Sequence, residues 1–393
     1  MTVSLSSRWY PRNKNALENF LQASFSHDYA VFDFDNTISI GDSQWTLFIG
    51  QCERLAYRLT PEEFGAILRL EFSEDTLRSP IPSFSFSWDD LMEDILHCYR
   101  IFYEAGEVGY PHQNHPRDHE IEHQEFLSKM LFLLFEVEAH LSVEAACRFI
   151  LYPFTHLRAD EVYSLAQSVH SEAARETREK GLRHIVFTSP QSLPSRAGSV
   201  SVSLDQGFAV SEDIAELLRR MSQRGIDLYC ISSSQEDTIR AALENPDFGL
   251  PKFQGSFTFN ALPDEEGRYI PSYDFVNHPA TFGMGKLEAI QKRIAPRYEN
   301  KAPVLVAGDS DSDVPMMTYD PSIRIVLMIN RGQKCASLRA LKEAALEEER
   351  NHRNPHLLVQ GRDTLRAEFW PRVECLDSQN RLHAGNGDFK KED

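Results

Sequence analysis

The nine residues 29–37, YAVFDFDNT, constrain this chain more than any other stretch. Four apolar residues, Tyr29, Ala30, Val31 and Phe32, read as a short buried strand. The strand runs into two aspartates, Asp33 and Asp35, with Thr37 two positions further on. Residues i and i+2 of an extended segment share a face, so both carboxylates can point into one pocket at the strand's carboxyl end. Like charges crowded there repel unless a cation sits between them. Mg²⁺, which favours carboxylate oxygens, would relieve that repulsion. An Asp/Asn-rich turn after a strand has the same look, so the rest of the chain has to separate the two.

Later segments repeat the pattern. The runs 184–188 and 200–204 are β-like, 211–224 reads as an amphipathic helix with Glu212 and Asp213 in its first turn, and 227–232 (DLYCIS) reads as a buried strand. Ser234 with Asp237 three positions on can cap a helix after it. A strand-like run at 253–259, a helix opening at Lys286, and apolar runs at 303–307 and 323–329 follow. Residues 337–350 read as a charged helix and 356–363 as a last strand and turn. Alternating strands and helices imply βαβ units and a parallel sheet, and such sheets bind ligands beyond the carboxyl ends of their strands. Between 45 and 182 the periodicity is helical instead. Thr60-Pro61-Glu62-Glu63 opens a helix expected to reach about residue 72, 91–105 and 159–180 carry helical spacing, and the Ser- and Pro-rich 78–90 reads as a loop. The expectation is an α/β chain: a core from 1–44 and 183–376, a helical domain over 45–182, and a disordered tail from 377 to 393.

Three pieces at strand ends carry chemistry alongside Asp33 and Asp35. Ser232, followed by Ser233 and Ser234, ends one strand, and hydroxyls with free amides at a helix start can hold phosphate oxygens. Lys286 in GMGK can reach a phosphate as a point charge. Asp309 and Asp313 in VAGDSDSD follow an apolar strand, Asp309 placed for a metal and Asp313 to pair with Lys286. Singly each is weak: serine after a strand is often only a cap, and most lysines are solvated. In this order the four pieces resemble the haloacid dehalogenase (HAD) superfamily of Mg²⁺-dependent phosphohydrolases, whose motifs are DxDx(T/V), a Ser or Thr ending a strand, a Lys, and GDxxxD. The resemblance covers 29–45 and about 200–330. The helical segment lies where that family inserts a cap domain.

The resemblance implies a Rossmann-like core and a phosphomonoester hydrolase working through an aspartyl-phosphate on Asp33. Asp35 would be acid and then base, and Ser232, Ser233 and Lys286 would hold the phosphoryl oxygens. Asp33, the Asp35 carbonyl and Asp309 would hold Mg²⁺, with Asp311 or Asp313 reaching it through water. Asp35 distinguishes phosphatases from the dehalogenase branch, which lacks the second acid. The 207–243 stretch and GMGKLEAI are most similar to the phosphoserine phosphatase-like group, which includes phosphorylcholine phosphatases, but the helical segment is far larger than that of phosphoserine phosphatase. The expected substrate is a small phosphomonoester such as choline phosphate or another amino-alcohol or amino-acid phosphate. Transfer to another acceptor, a protein substrate, and an inert core serving as a scaffold are the alternatives.

Composition narrows the partners. With Asp+Glu 59 against Lys+Arg 41 and a formal charge of −18, the surface argues against nucleic acid and anionic membranes. The six scattered cysteines form no CxxC pair, and neither a signal-peptide core nor a membrane-length apolar run is present, so a cytoplasmic protein is expected. Nothing in the sequence speaks to oligomeric state. Trp45, Phe84, Phe86, Trp88, Tyr99, Phe102 and Tyr103 could form an aromatic cage for a quaternary ammonium or simply a helix-bundle core. Asp42, Asp89 and Asp90 would suit a cationic substrate or a solvated face. His112, His115, His119 and His123 could hold a metal or lie in a solvated loop, and Arg362 could help close the site.

Overall fold

The computed structural model describes residues 4–111, 118–332 and 335–386 of the 393. Its centre is a mixed but mostly parallel sheet. Strands β1 (Asp28–Phe32), β6 (Ile226–Gln235), β7 (Gly255–Phe259), β10 (Leu305–Gly308), β11 (Ile325–Asn330) and β12 (Leu357–Asp363) lie in the order β7-β6-β1-β10-β11-β12, all parallel. Short strands β13 (Glu368–Phe369), β14 (Cys375–Leu376) and β15 (Leu382–His383) extend the β12 edge. β1 is therefore flanked by β6 and β10, and the three chemistry-bearing segments leave the sheet side by side.

Each strand feeds two cores, as period-two alternation requires. Ala30 and Phe32 of β1, with Leu228, Cys230, Leu305 and Ala307, pack against helices α1 (Pro11–Gln22) and α9 (Glu212–Gln223). Tyr29 and Val31, with Tyr229, Ile231 and Val306, pack on the other face near α11 (Met284–Ala289), α12 (Val314–Thr318) and α13 (Ala336–Arg350). Fully burying such a side chain contributes about 1.5–3 kcal/mol, which holds the central strands rigid beneath the site.

Between β1 and β6 lies the helical insert: α2 (Ser43–Arg54), α3 (Pro61–Leu68), α4 (Glu74–Arg78), α5 (Trp88–Glu104), α6 (Glu120–His140), α7 (Val143–Phe149) and α8 (Ala159–Lys180). It has its own core, in which Phe64 stacks on Tyr99 at 3.8 Å between ring centroids and Phe126 lies against both. α10 (Glu236–Leu243), the end of β7 and the hairpin β8 (Ala261–Pro263) and β9 (Tyr269–Tyr273) join this core through Ala241, Phe259, Ala261, Tyr269 and Tyr273. Among the described residues no helix is long and apolar enough to cross a membrane.

Several expectations shift. The runs 184–188 and 200–204 do form strands, β3 (Arg183–Thr188) and β4 (Ser201–Gln206), but among the described residues these pair only with each other, and their apolar residues pack with the helical insert. Likewise β2 (Ser39–Ile40), among the described residues, pairs only with β5 (Ala209–Val210). The helix from Pro61 stops at Leu68, and α5 begins at Trp88 because Ser87 and Asp90 form a capping box inside the stretch read as a loop. Residues 377–386 of the expected disordered tail are ordered: β15 pairs with β14, and the Asp377 carboxylate meets Arg381 and His383. The remainder of that tail lies outside the described residues.

Candidate active site

Asp33 follows β1 directly, and its amide donates to the Ala307 carbonyl at 3.0 Å, carrying the β1–β10 ladder one residue further. The Asp33 carboxylate is buried. Its Oδ1 accepts from Lys286 Nζ at 2.6 Å, and Thr37 Oγ1 sits 3.1 Å from its Oδ2 and 3.3 Å from Asp309 Oδ1. Lys286 is the third residue of the six-residue α11, and its burial there disfavours the charged form. Two carboxylates offset that: Nζ also donates to Asp313 Oδ1 at 2.6 Å. Gly285 allows the placement, since a Cβ there would lie 1.9 Å from the Ala280 carbonyl oxygen.

Asp313 is fixed from its other side. Its Oδ2 accepts from the amides of Asp309 and Ser310 at 3.0 and 2.9 Å and from Ser310 Oγ at 2.9 Å. The carboxyl folds back so tightly that a Cβ on Gly308 would lie 2.5 Å from it, which explains a glycine before Asp309. Asp309 itself has fewer directed donors. Besides Thr37, its Oδ2 meets Arg331 Nε in an ion pair.

Asp35 faces a different set of donors. Its Oδ1 accepts from the Ser43 amide at the start of α2 (2.6 Å), and its Oδ2 accepts from Ser234 Oγ (2.6 Å) and Ser232 Oγ (3.4 Å). Pairing between β6 and β7 shifts register between Ile231 and Gln235. Such irregularities re-aim side chains, and this one turns Ser232 and Ser234 toward Asp35. The expected helix cap at Ser234 is corrected: Gln235 caps α10 through Thr238, leaving Ser234 free for Asp35. Ser233 lines the same cavity, but its hydroxyl donates to the Thr281 carbonyl. Asp311 is turned away, accepting from the Leu338 amide at the start of α13.

Burial governs the proton affinities. Desolvation pushes the Asp33 carboxyl well up, Lys286 pulls it down, and the Asp313 and Asp309 carboxylates add to the upward push. Asp35 is also raised by burial, against the hydrogen bonds from Ser234 and Ser43. Asp42, which caps α2 through the Trp45 amide, is pushed up to about 8 by burial and then by Asp35. Lys286 is raised despite its burial, because Asp313 and Asp33 hold its charge.

Ligand oxygens of Asp33, Asp309 and Asp313 lie within 4.8 Å of one another, the one such metal-ligand cluster among the described residues. Four buried or nearly buried carboxylates (Asp33, Asp35, Asp309, Asp313) meet two cations (Lys286, Arg331), and Asp309 Oδ2 has no aligned hydrogen bond. The excess of carboxyl groups over cations and the Asp309 oxygen without an aligned hydrogen bond fit a hard divalent cation.

A cavity of about 210 Å³ opens over these groups, walled by Trp45, Leu134, Val143, Ala146, Cys147 and Ile150 of the insert and by Phe259, with Asp42 and Glu138 at its margin. It shares Asn36, Asp42, Trp45, Glu138 and Arg331 with a wider cleft of about 1160 Å³. Of the seven aromatics that could have formed a cage, only Trp45 lines the smaller cavity. Trp88, Tyr99 and Phe102 belong to the insert's core, while Phe84 and Phe86 pack on Phe132. Asp89 pairs with Arg69 and Asp90 caps α5, so Asp42 alone of the three acids faces the cavity. His119 contacts Glu107 and His123 the Glu53 carbonyl; His112 and His115 lie outside the described residues. Buried Arg362 donates to Asn36 Oδ1 at 3.1 Å, steadying the left-handed Asn36 (φ 64°) inside the Asp33–Thr37 loop.

Arg331 and Ser43 were not singled out from sequence, and Ser234 was read as a helix cap and as part of the serine run, not as a partner of Asp35. Arg331 had a usable signal, a charged residue just past an apolar run that ends at the same sheet edge as Asp309.

No protein-family model and no curated protein matches the chain. Among solved structures, a conserved protein of unknown function from Anaerococcus prevotii matches 95% of this chain and 98% of its own, with TM-score 0.79 and 23% identity. This chain shares its fold over nearly the whole length. A HAD family hydrolase from Salmonella enterica serovar Typhi aligns over 88% of this chain and 70% of its own at TM-score 0.39 and 8% identity. A phosphoserine phosphohydrolase-like protein from Francisella tularensis aligns over 80% and 92% at TM-score 0.33 and 11% identity. Only the first of these likenesses bears on the fold.

Proposed function

We propose that the chain is a Mg²⁺-dependent phosphomonoester hydrolase of the HAD type, with the helical insert as its cap. The observation that carries this reading is the Asp33 clamp: a carboxylate at the end of the central strand, gripped by Lys286 beside Asp309 and Asp313 at the floor of a cavity. A divalent ion held by Asp33 and Asp309, with the Asp35 carbonyl, would keep Asp33 ionised and screen it from an incoming phosphate dianion.

Asp33 then attacks phosphorus. An Asp33 O–P bond forms as the P–O bond to the leaving group breaks, and Asp35 gives that oxygen a proton. The upward push on the Asp35 carboxyl suits this first role. In the second half water attacks phosphorus, the Asp33 O–P bond breaks, and Asp35 takes the water's proton. Ser232 and Lys286 hold the phosphoryl oxygens as charge moves among them. Asp313 orients Lys286, and Arg362 positions the loop through Asn36. The small cavity, apolar on its insert side with Asp42 at its edge, supports a compact amino-alcohol or amino-acid phosphate as substrate. The adjoining cleft favours a second reading, a longer phosphorylated chain whose leaving group lies along it.

The test is phosphate release from phosphoserine, phosphorylcholine, phosphoethanolamine, sugar phosphates, nucleotides, an aryl phosphate and a phosphopeptide, with and without Mg²⁺. Metal-dependent release that vanishes in Asp33→Asn is the expected outcome. Release that survives this substitution removes Asp33 as nucleophile, and preference for the phosphopeptide selects the second reading.

A further inference from the structure

We propose that Arg331 is an internal counter-ion that occupies Asp309 until a divalent cation displaces it, and that the freed guanidinium then turns into the cleft toward Asp42. The inference rests on the reading of Asp309 as a cation ligand.

The carboxylates of the site are held unequally. Every oxygen of Asp313 has directed donors: Lys286 on one, two amides and a hydroxyl on the other. Asp309 Oδ2 has the Arg331 charge but no aligned hydrogen bond, and Arg331 Nε likewise lacks an aligned acceptor among the described residues. A guanidinium is at its strongest in planar, forked contact with a carboxylate, and this contact forgoes that geometry. A metal ion bonds to the oxygen without needing a donor hydrogen, so it gains where the guanidinium does not.

The two cations also differ in freedom. The Lys286 side chain is 3% exposed and gripped from two sides, whereas the Arg331 side chain is 26% exposed and lines both cavities. Asp42 lines the same junction, within electrostatic reach of Arg331. The guanidinium thus has an opening to turn into and carboxyl oxygens there to accept its hydrogen bonds. Its departure restores the full negative charge of Asp309 at the moment a divalent ion needs it.

Two measurements on the full chain test this. Calorimetric titration of EDTA-treated protein with Mg²⁺ compares wild type, Arg331→Met, Arg331→Lys and Asp309→Asn. If Arg331 blocks Asp309 most of the time, Arg331→Met binds Mg²⁺ about tenfold tighter, because apparent affinity scales with the competent fraction. Affinity that is unchanged or weaker in Arg331→Met overturns the proposal. The second measurement needs no variant. Phenylglyoxal modification of wild-type Arg331, followed by peptide mass spectrometry, should speed up several-fold when Mg²⁺ is added, a response that through-space repulsion alone would not give. An unchanged rate overturns the displacement. Mg²⁺ binding that requires Asp309 but ignores Arg331 sinks only this proposal. Wild type that binds no Mg²⁺ sinks the metal reading with it.

Discussion

Two buried lysines in this molecule look alike and do different things. Lys286 bridges Asp33 and Asp313 at 2.6 Å each, and Lys129 bridges Asp94 at 2.7 Å and Glu125 at 2.5 Å. Both are essentially sealed from solvent. Lys129 ties α6 to α5, and Asp94 also accepts from the Arg196 and Ala197 amides, fastening the loop between β3 and β4 to the insert. Neither Lys129 nor its partners line a cavity over the strand ends, whereas Lys286 and Asp33 floor one. A buried charge cluster is therefore not enough to make a site. The Lys286 cluster differs because its carboxylates converge on open space.

Replacing each lysine by Met separates the two roles, with the largest effect at Lys286. Lys286→Met leaves the phosphoryl group without its cation, and kcat should fall on the order of 10²–10³-fold, the loss typical of one oxyanion partner. Lys129→Met leaves Asp94 and Glu125 buried without a counter-charge, so unfolding in denaturant should show a loss of about 3–5 kcal/mol. The kcat of the Lys129 variant, measured where it is still folded, should match wild type. A Lys129 variant that loses turnover while keeping its stability would erase the distinction.

The same contrast explains what could be read before the structure. Asp33, Asp35, Ser232, Lys286, Asp309 and Asp313 announce themselves because a strand followed by a polar residue is a local pattern, and parallel topology gathers strand ends on one edge. Lys129 and Asp94 are 35 residues apart on two helices, and no local pattern marks them as partners. The alternating strands and the α8 boundaries followed from periodicity. The pairing of β3 with β4 away from the main sheet did not, because sheet membership depends on tertiary neighbours and not on strand propensity. The aromatic stretch of the insert was ambiguous for the same reason: helical spacing puts Trp88, Tyr99 and Phe102 on a buried face without saying whether that face meets a ligand or another helix. Ser234 was misassigned because the register shift in β6 is set by its neighbour β7.

The pH response sharpens the comparison at the junction of core and insert. Burial, and after it the Asp35 charge, pushes the Asp42 carboxyl from near 3.8 up to about 8 in the fold, so the folded protein holds the proton more tightly. Its contribution to stability is complete below the ordinary range and is lost as pH rises toward and through 8, by up to about 1.4 kcal/mol per pH unit. Asp42→Asn keeps a good helix cap and removes the titration. In EDTA the variant's stability should be flatter across that window, and above pH 8 it should exceed wild type. Parallel pH curves for the two proteins would mean that Asp42 stays ionised in the fold, with Arg331 outweighing its burial.

The smallest effect belongs to the insert alone. Thr60 Oγ1 accepts from the Glu63 amide at 3.3 Å, and Glu63 Oε2 accepts from the Thr60 amide at 2.9 Å, closing a capping box at the start of α3. The Thr60 amide, chiefly, holds the Glu63 carboxyl below its usual range, so the box is present at neutral pH and weakens as pH falls through that lowered value. Thr60→Ala removes one of the two bonds and should cost about 1 kcal/mol, read from the denaturation midpoint at pH 7. At low pH, with Glu63 protonated, the gap between wild type and variant should narrow. Because α3 packs through Phe64 on Tyr99 and not on the strand ends, KM and kcat should not move. A change in KM with stability intact would mean that the insert transmits small shifts in its own core to the cavity wall at Leu134 and Ile150, and the two regions would then have to be treated as one.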